Sequence, residues 1–579
     1  MSHDQDTDEL KTIRERIAAN PRPAAIWAAV LGVLLLLEIG RIGAGIVKLG
    51  GVVRLILGGL AAIPHWVHGN IQPSAGLIAA EIGFVITALL VLSVATILLR
   101  ATIVTGPLAE RFGFHYDRFD SPYVTEERLD RGLLLAVLTA VTFVVTMTPA
   151  AVAIDLVVGA FTSFFEWVAS LGAVTSPETI PNQGYRSPDG SGWEGTFMGL
   201  SPAWAWALRV AVVYVYAFVT FAWLWKGYTI FREHYREADW TPRDDSINRF
   251  RNHYWGIFGL IVVFMFVVMA LWAPALGPVG PQENIYSPYG HEFQYLNSES
   301  GELETVSHGT ANIDSRSQGS DPVSPMSYDN YDRWSPFGTT ANGKNLFTYL
   351  VFGARTSLVI GITAIGLATG IALGLSLLTA YYKGLVDLVT VIVSDTVIAV
   401  PVFLAVLLLS VVFQESNHPI ASYYNGGLLL ALIFAGLYWP GLWRSIRGPS
   451  LQVAEQEWVD AAKSYGQTPM MTMRKHMAPY IFSYVMIYAS LLLGGVIIVT
   501  AALSFLGLGI NPPTPEWGRI ISDGRSYVST ESWHIATIPG ILIVLVVTGF
   551  NALGDGIRDA MDPESESGEG DVTTTGGGA

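Results

Sequence analysis

Two aspartates, Asp387 and Asp395, stand eight residues apart in an otherwise apolar run. Ionisable side chains at membrane depth are functional candidates, because an uncompensated charge there is expensive. On a helix, eight residues return to one face, and the rise per residue sets Asp395 about 12 Å beyond Asp387. Such a pair suits a coupling ion, a substrate contact, or structural pairing within a bundle. Glu38 and Arg41, three apart, are placed to pair on their own helix. The octet Gly338-Thr339-Thr340-Ala341-Asn342-Gly343-Lys344-Asn345 fits the Gly-x4-Gly-Lys spacing of a phosphate loop. That chemistry needs a strand before it, a helix after it, and a Ser or Thr for magnesium. Asn345 takes the hydroxyl's place, no strand is legible ahead of it, and the octet falls in an outer loop, so no ATP hydrolysis is expected from this chain. No His/Asp/Glu cluster has zinc spacing, no nucleophile stands beside a base, and no basic patch suits nucleic acid.

A third constellation does mechanical chemistry. Val459-Asp460-Ala461-Ala462-Lys463-Ser464-Tyr465-Gly466 reads as a short helix stopped by glycine, with Thr468 capping a new helix whose first turn holds Pro469. From Leu451, the apolar Leu451, Ala454, Trp458, Ala461 and Tyr465 share one helical face, while Glu457, Asp460 and Ser464 lie on another. Small residues on a face let a partner approach the backbone. The alternative is an amphipathic helix resting on lipid or on its own neighbours. Arg474, Lys475 and His476 follow and suit anchoring on the positive side of a membrane.

These residues must be positioned by membrane spans. The 579 residues are 51% hydrophobic and 14% charged, with mean hydropathy +0.42, against about 25% charged in soluble domains. Ten segments reach the length of about 20 apolar residues that a bilayer requires. They lie near 24–46, 76–99, 133–158, 203–225, 253–276, 346–380, 385–413, 426–442, 478–503 and 536–555. The 346–380 run is longer than a bilayer needs, so its end projects or tilts, and Pro401 predicts a kink in its span. Lys and Arg cluster in 1–23, 100–132, 226–252 and 443–477, and are sparse in 159–202, 414–424 and 504–535. This alternation puts both termini in the cytoplasm. The Gly-rich stretch 47–65 reads as interfacial or re-entrant. The apolar run after residue 23 is too long for a signal peptide and should stay as an anchor.

Residues 277–345 form an outer loop with nine acids against two arginines between 277 and 343. The tail 563–579 has nothing to bury and is expected to be disordered. There are no cysteines, which excludes disulfides and thiolate metal sites. Net charge is -15 and lysine supplies 7 of the 33 basic residues, a balance that points to a high-salt, halophilic cytoplasm.

The docking segment resembles the cytoplasmic loop of importer-type ABC permeases, whose pattern is Glu-Ala-Ala, three residues, then Gly. Asp460 replaces the Glu, keeping charge with a shorter reach to the ATPase. Trp439-Pro440-Gly441-Leu442-Trp443-Arg444 resembles that family's entry to the loop, and Arg474-Lys475-His476-Met477-Ala478-Pro479 its exit. Ala502-Leu503-Ser504-Phe505-Leu506-Gly507, then Pro512-Pro513-Thr514-Pro515-Glu516-Trp517-Gly518, then Leu553-Gly554-Asp555-Gly556 extend the likeness over about 220 residues. Together they resemble the C-type permease of dipeptide, oligopeptide and nickel importers. The family's Gly-Thr-Asp and Gly-Arg-Asp before 346 lose both acids here, and the arginine often found between Asp387 and Asp395 is Ile392.

The resemblance implies an all-α polytopic membrane protein: a six-span permease core (253–276 and 346–562) after a four-span N-terminal extension (24–230). It implies a homologous B-type permease as partner and two ABC ATPases, which bind the ATP and magnesium, docking on 449–478. The contacts would come from Trp458, Asp460, Ala461, Ala462, Gly466, Arg474, His476 and Pro479. An extracellular substrate-binding protein would deliver peptides or a nickel complex to 277–345 and 504–535. Two rival readings are an ion-coupled secondary transporter, resting on Asp387 and Asp395, and a membrane receptor or scaffold whose loop docks a signalling partner.

Overall fold

The computed structural model describes residues 13–51, 132–137, 139–140, 150–237, 240–415 and 419–561. The expected span 76–99, the segment 100–131 expected to be cytoplasmic, most of 47–65, much of 133–158 and the tail 563–579 lie outside these residues. The chain divides into two compact units, one of 1–38, 172–415 and 421–579, the other of 39–171 and 416–420. In the smaller unit, residues 39–51 are helical and α3 spans Ala150–Ala169. A Cβ at Gly40 would collide with the Leu171 carbonyl.

The larger unit opens with α1 (Ile13–Ala19) and α2 (Pro21–Leu37), bent by 96° to each other. The bend precedes the expected span 24–46, within which α2 ends at Leu37. Glu38 follows the end of α2 and its carboxylate accepts the Thr175 N–H at 3.1 Å. A hairpin, β1 (Tyr185–Arg186) with β2 (Trp193–Glu194), precedes α4 (Pro202–His234). That helix runs well past the expected 203–225 and carries Lys226 and Arg232 in its extra length. Next come α5 (Pro242–Asn252), opened by the Thr241 N–H donating to Asp244 at 2.8 Å, and α6 (Tyr254–Leu271).

The loop 277–345 is an ordered lobe. It holds the hairpin β3 (Glu292–Leu296) with β4 (Leu303–Ser307), the helix α7 (His308–Asp314), and the hairpin β5 (Ser327–Tyr328) with β6 (Trp334–Ser335). Its polar composition conceals this order, because side-chain hydrogen bonds and aromatic contacts replace an aliphatic core.

The remaining helices of eight residues or more are α8 (Leu346–Tyr382), α9 (Gly384–Ala399), α10 (Val402–Glu415), α11 (Gly427–Ala454), α12 (Glu457–Ser464), α13 (Ala478–Phe505), α14 (Trp517–Gly524) and α15 (His534–Met561). Six helical segments of the described residues are long and apolar enough to cross a membrane, or eight if each bent pair counts as one. The fold is therefore that of an all-α polytopic membrane protein, its strands confined to short hairpins.

Two expected spans are corrected. The segment 385–413 is two helices, α9 and α10, bent by 81° at Val400-Pro401 rather than one kinked rod. Pro401 lacks an N–H for the ladder and pushes Val400 into extended geometry. The segment 426–442 continues as α11 to Ala454, tolerating Pro440 and Pro449. The amphipathic helix expected from Leu451 is thus split at Glu455-Gln456, its first turn belonging to α11.

At 37 residues, α8 joins two packed layers. Its first half buries Leu350, Ala354 and Leu358 against Phe266, Trp517, Ile535 and Phe550. Its second half buries Ala368, Ala372 and Ala380 against Trp443, Val459, Met477 and Ile481. The lobe therefore joins one end of the bundle, and α12 packs at the other.

Candidate functional site

The segment read from the sequence as a docking element forms a shallow groove of about 480 Å³ lined by Trp458, Ala461, Ala462, Tyr465, Gln467 and His476. Helix α12 is only eight residues long, and Val459 anchors it by inserting wholly into the α8/α11/α13 layer. Val459 was absent from the face read from the sequence. Its burial turns Trp458 and Ala461 outward and leaves Tyr465 92% exposed. Gly466 closes the helix at φ +75°, a left-handed conformation that side chains resist, and its N–H still bonds the Lys463 carbonyl at 3.0 Å.

The far wall is the turn Met473–Met477 and the start of α13. Trp458 Nε1 donates to the His476 carbonyl at 3.4 Å and its ring lies 5.3 Å from Tyr480. Arg474 belongs to this turn, and Pro479 stands in the first turn of α13. Asp460 is exposed and bonds Lys463 at 3.1 Å within α12, while Lys463 also lies 5.4 Å from the Tyr381 ring centre on α8. A buried valine and a lysine thus tie α12 to the end of α8.

Asp387 and Asp395 both lie on α9, and each meets an arginine of α11. Arg447 grips Asp387 through Nε and Nη2, at 2.8 and 2.5 Å. Arg444 pairs with Asp395. The structure brings neither aspartate to the other. The sequence had assigned both arginines to a basic loop, and only the continuation of α11 carries them alongside α9. Lys383 and Glu455, at 3.0 Å, tie α8 to the foot of α11 nearby.

Two segments are recognised by family models, and the longer one contains these features. Residues 366–566 match the binding-protein-dependent transport system inner membrane component, and residues 241–294 match the N-terminal transmembrane domain of oligopeptide transport permease C. The chain is 28% identical over 327 residues to the dipeptide transport system permease protein DppC of Alkalihalophilus pseudofirmus, covering 56% of this chain and 91% of that protein. It is 28% identical over 326 residues to the glutathione transport system permease protein GsiD of Escherichia coli, with the same shares covered. Both matched segments and both relatives are of transport permeases, and the chain resembles their C-type subunits. Residues before 241 fall outside both matched segments.

In this permease the octet 338–345 is a helix entrance. A two-residue strand, β6, does precede it, contrary to the sequence expectation, and α8 follows. Asn345 caps α8 by accepting the Thr348 N–H at 3.1 Å and donates to the Trp334 carbonyl at 3.1 Å. A Cβ at Gly343 would fall 1.7 Å from the Asn312 carbonyl oxygen, and one at Gly338 would meet Val323 and His534. The space a phosphate would need is filled by the protein.

The permease also buries a carboxyl that sequence reasoning passed over. Glu516 is 1% exposed and caps α14, accepting the Arg519 N–H at 3.1 Å. Burial pushes its pKa up to about 7, against the pull of the backbone N–H groups around it. The signal was available: a lone acid between Pro515 and Trp517, three residues before a helical N–H. Trp517 follows, wholly buried, its indole donating to the Leu350 carbonyl at 2.8 Å across Gly353.

Proposed function

We propose that this permease pairs with a homologous B-type permease to form the path for peptides, driven by two ABC ATPases seated on the 449–478 segment. The groove on α12 carries the proposal. It is exposed and lined by small and aromatic residues, and it is anchored by Val459 to the layer that holds α8. ATP and magnesium belong to the ATPases, whose closure would shift Trp458, Ala461 and Ala462 and thereby bias the spans between inward and outward states. Peptides are the substrate class named for the relatives above. The nickel complex of the sequence reading has no such support.

Gly366, Gly370 and Gly374 supply the seam for the second permease. They lie four residues apart on α8, and no atom comes within 4 Å of where their side chains would start. Small residues at this spacing let helices approach closely in lipid. The pairing of Asp387 and Asp395 with arginines removes the feature that favoured an ion-coupled carrier. An extracellular binding protein would land on the lobe 277–345 and the 504–535 segment, and both termini would be cytoplasmic. Lysine scarcity and the negative charge fit a high-salt interior.

A mild-detergent pull-down of the tagged chain, with ATP hydrolysis assayed on the eluate, tests the reading. Co-elution of a second permease and ATPases is expected. Gly466→Pro, which removes the N–H bonded to Lys463 and forbids positive φ, should abolish ATPase binding by at least about tenfold while leaving membrane insertion intact. Ala462→Trp should do the same by filling the groove. Normal assembly in both variants would refute the docking proposal.

A further inference from the structure

We propose, resting on the peptide reading above, that the Asp395–Arg444 ion pair and the break between α9 and α10 line the water-filled path and meet the charged ends of the passing peptide. Arg444 stands ten residues before the end of α11, about 15 Å along the helix axis. Asp395 stands four residues before the end of α9. Both side chains are half exposed, Asp395 at 55% and Arg444 at 45%. The neighbouring pair is more enclosed: Asp387 is 19% exposed and Arg447 35%, and its two hydrogen bonds already fasten α9 to α11. Fastening alone therefore gives no reason for a second pair left open.

Lipid is a poor neighbour for either feature. Charged side chains within spans are expensive against hydrocarbon and face a bundle interior or a water-filled cavity. Interrupted backbone at membrane depth is tolerated on the same terms, because its polar groups need partners. Here the two coincide. Helix α9 ends at Ala399, Val400 turns extended, and Pro401 brings no N–H to the carbonyls of the last turn. Ile392, Asp395 and Ala399 recur at helical spacing on one face of α9, and all three are exposed. On α11, Gly441, Arg444 and Gly448 likewise share an exposed face, and a Cβ at either glycine would have no neighbouring atom within 4 Å. The charges sort the two ends of a peptide. The negative end of the α9 dipole adds to Asp395 and favours an ammonium. Arg444 has five N–H groups, more than one carboxylate takes, so some are left for a peptide's carboxylate or carbonyl oxygens.

The test uses thiols introduced one at a time into a chain that has no cysteine. A charged thiosulfonate reacts with the thiolate, hence only where water reaches. In native membrane vesicles holding the assembled transporter, Ala399→Cys and Gly441→Cys should react at least about tenfold faster than Ile261→Cys, 57% exposed on α6. Reaction at either should stop ATP-driven uptake of L-alanyl-L-alanine. Asp395→Asn should lower that uptake about tenfold, while the ATPases still co-elute. The proposal is overturned if both thiols are as inert as Ile261→Cys, since lipid or the second permease then covers this face. Parental uptake by a folded Asp395→Asn overturns the peptide contact. Should that variant fail to fold, unimpaired uptake after complete labelling of Ala399→Cys and Gly441→Cys overturns it instead. Absence of uptake by the parent chain would refute the peptide reading itself, while labelling still reports whether water reaches this face.

Discussion

Glu516 concentrates the chemistry of the outer segment in one residue. Its folded pKa of about 7 stands above the ordinary 4.5, so between those values the folded chain keeps a proton that the unfolded chain releases. The stabilisation is full below about pH 4.5 and is lost as pH rises through 7. Glu516→Gln keeps an oxygen for the Arg519 N–H and never ionises. The variant should therefore melt close to the parent at pH 5 and several degrees above it at pH 8, read by thermal scanning in detergent. Equal pH dependence in both proteins would assign the slope to other groups. At this scale the sequence was informative for types and weak for partners. Asp387 and Asp395 were visible as intramembrane acids, yet Arg444 and Arg447 could be matched to them only after α11 was seen to continue to Ala454.

Glycines decide how the elements meet. On α6, Gly259 lies so close to α15 that a Cβ would come within 2.3 Å of the Leu553 nitrogen. Gly256 and Gly556 are similarly crowded. On α8, Gly370 faces open space. The same substitution should thus have opposite consequences. Gly259→Leu forces two backbones apart, a cost of about 1–3 kcal/mol or more, and should lower the melting temperature and the yield of folded chain. Gly370→Leu should leave the isolated chain as stable as the parent while reducing co-purification of the second permease. Stable pairing of Gly370→Leu with its partner would show that the seam lies elsewhere. Composition marked the long spans because each exceeds the bilayer's requirement in apolar residues. It could not place the 81° break after Ala399, since Pro401 permits either a kink or a full turn until α11 packs beside it. Nor could it show the lobe's hairpins, which are short and polar.

At the level of the whole molecule, orientation is the consequence most open to measurement. The basic residues of 226–252, among them Arg243, Arg249 and Arg251, begin the segment that enters α6, and α6 leads to the acidic lobe. If the positive-inside distribution governs insertion, Arg243 faces the cytoplasm and Tyr289, 67% exposed on the lobe, faces the exterior. The absence of cysteine from the 579 residues makes each introduced thiol unique. A membrane-impermeant maleimide added to intact cells should label Tyr289→Cys. It should label Arg243→Cys only after the membrane is opened. The reverse pattern would place the lobe inside and turn the α12 groove outward, where no ATPase could reach it, and the proposed coupling would fail with it. Labelling of both positions in intact cells would mean a mixed insertion. A single compound thus tests the charge argument and the mechanical argument together, because α6 and α8 fix the lobe and the groove at opposite ends of one bundle.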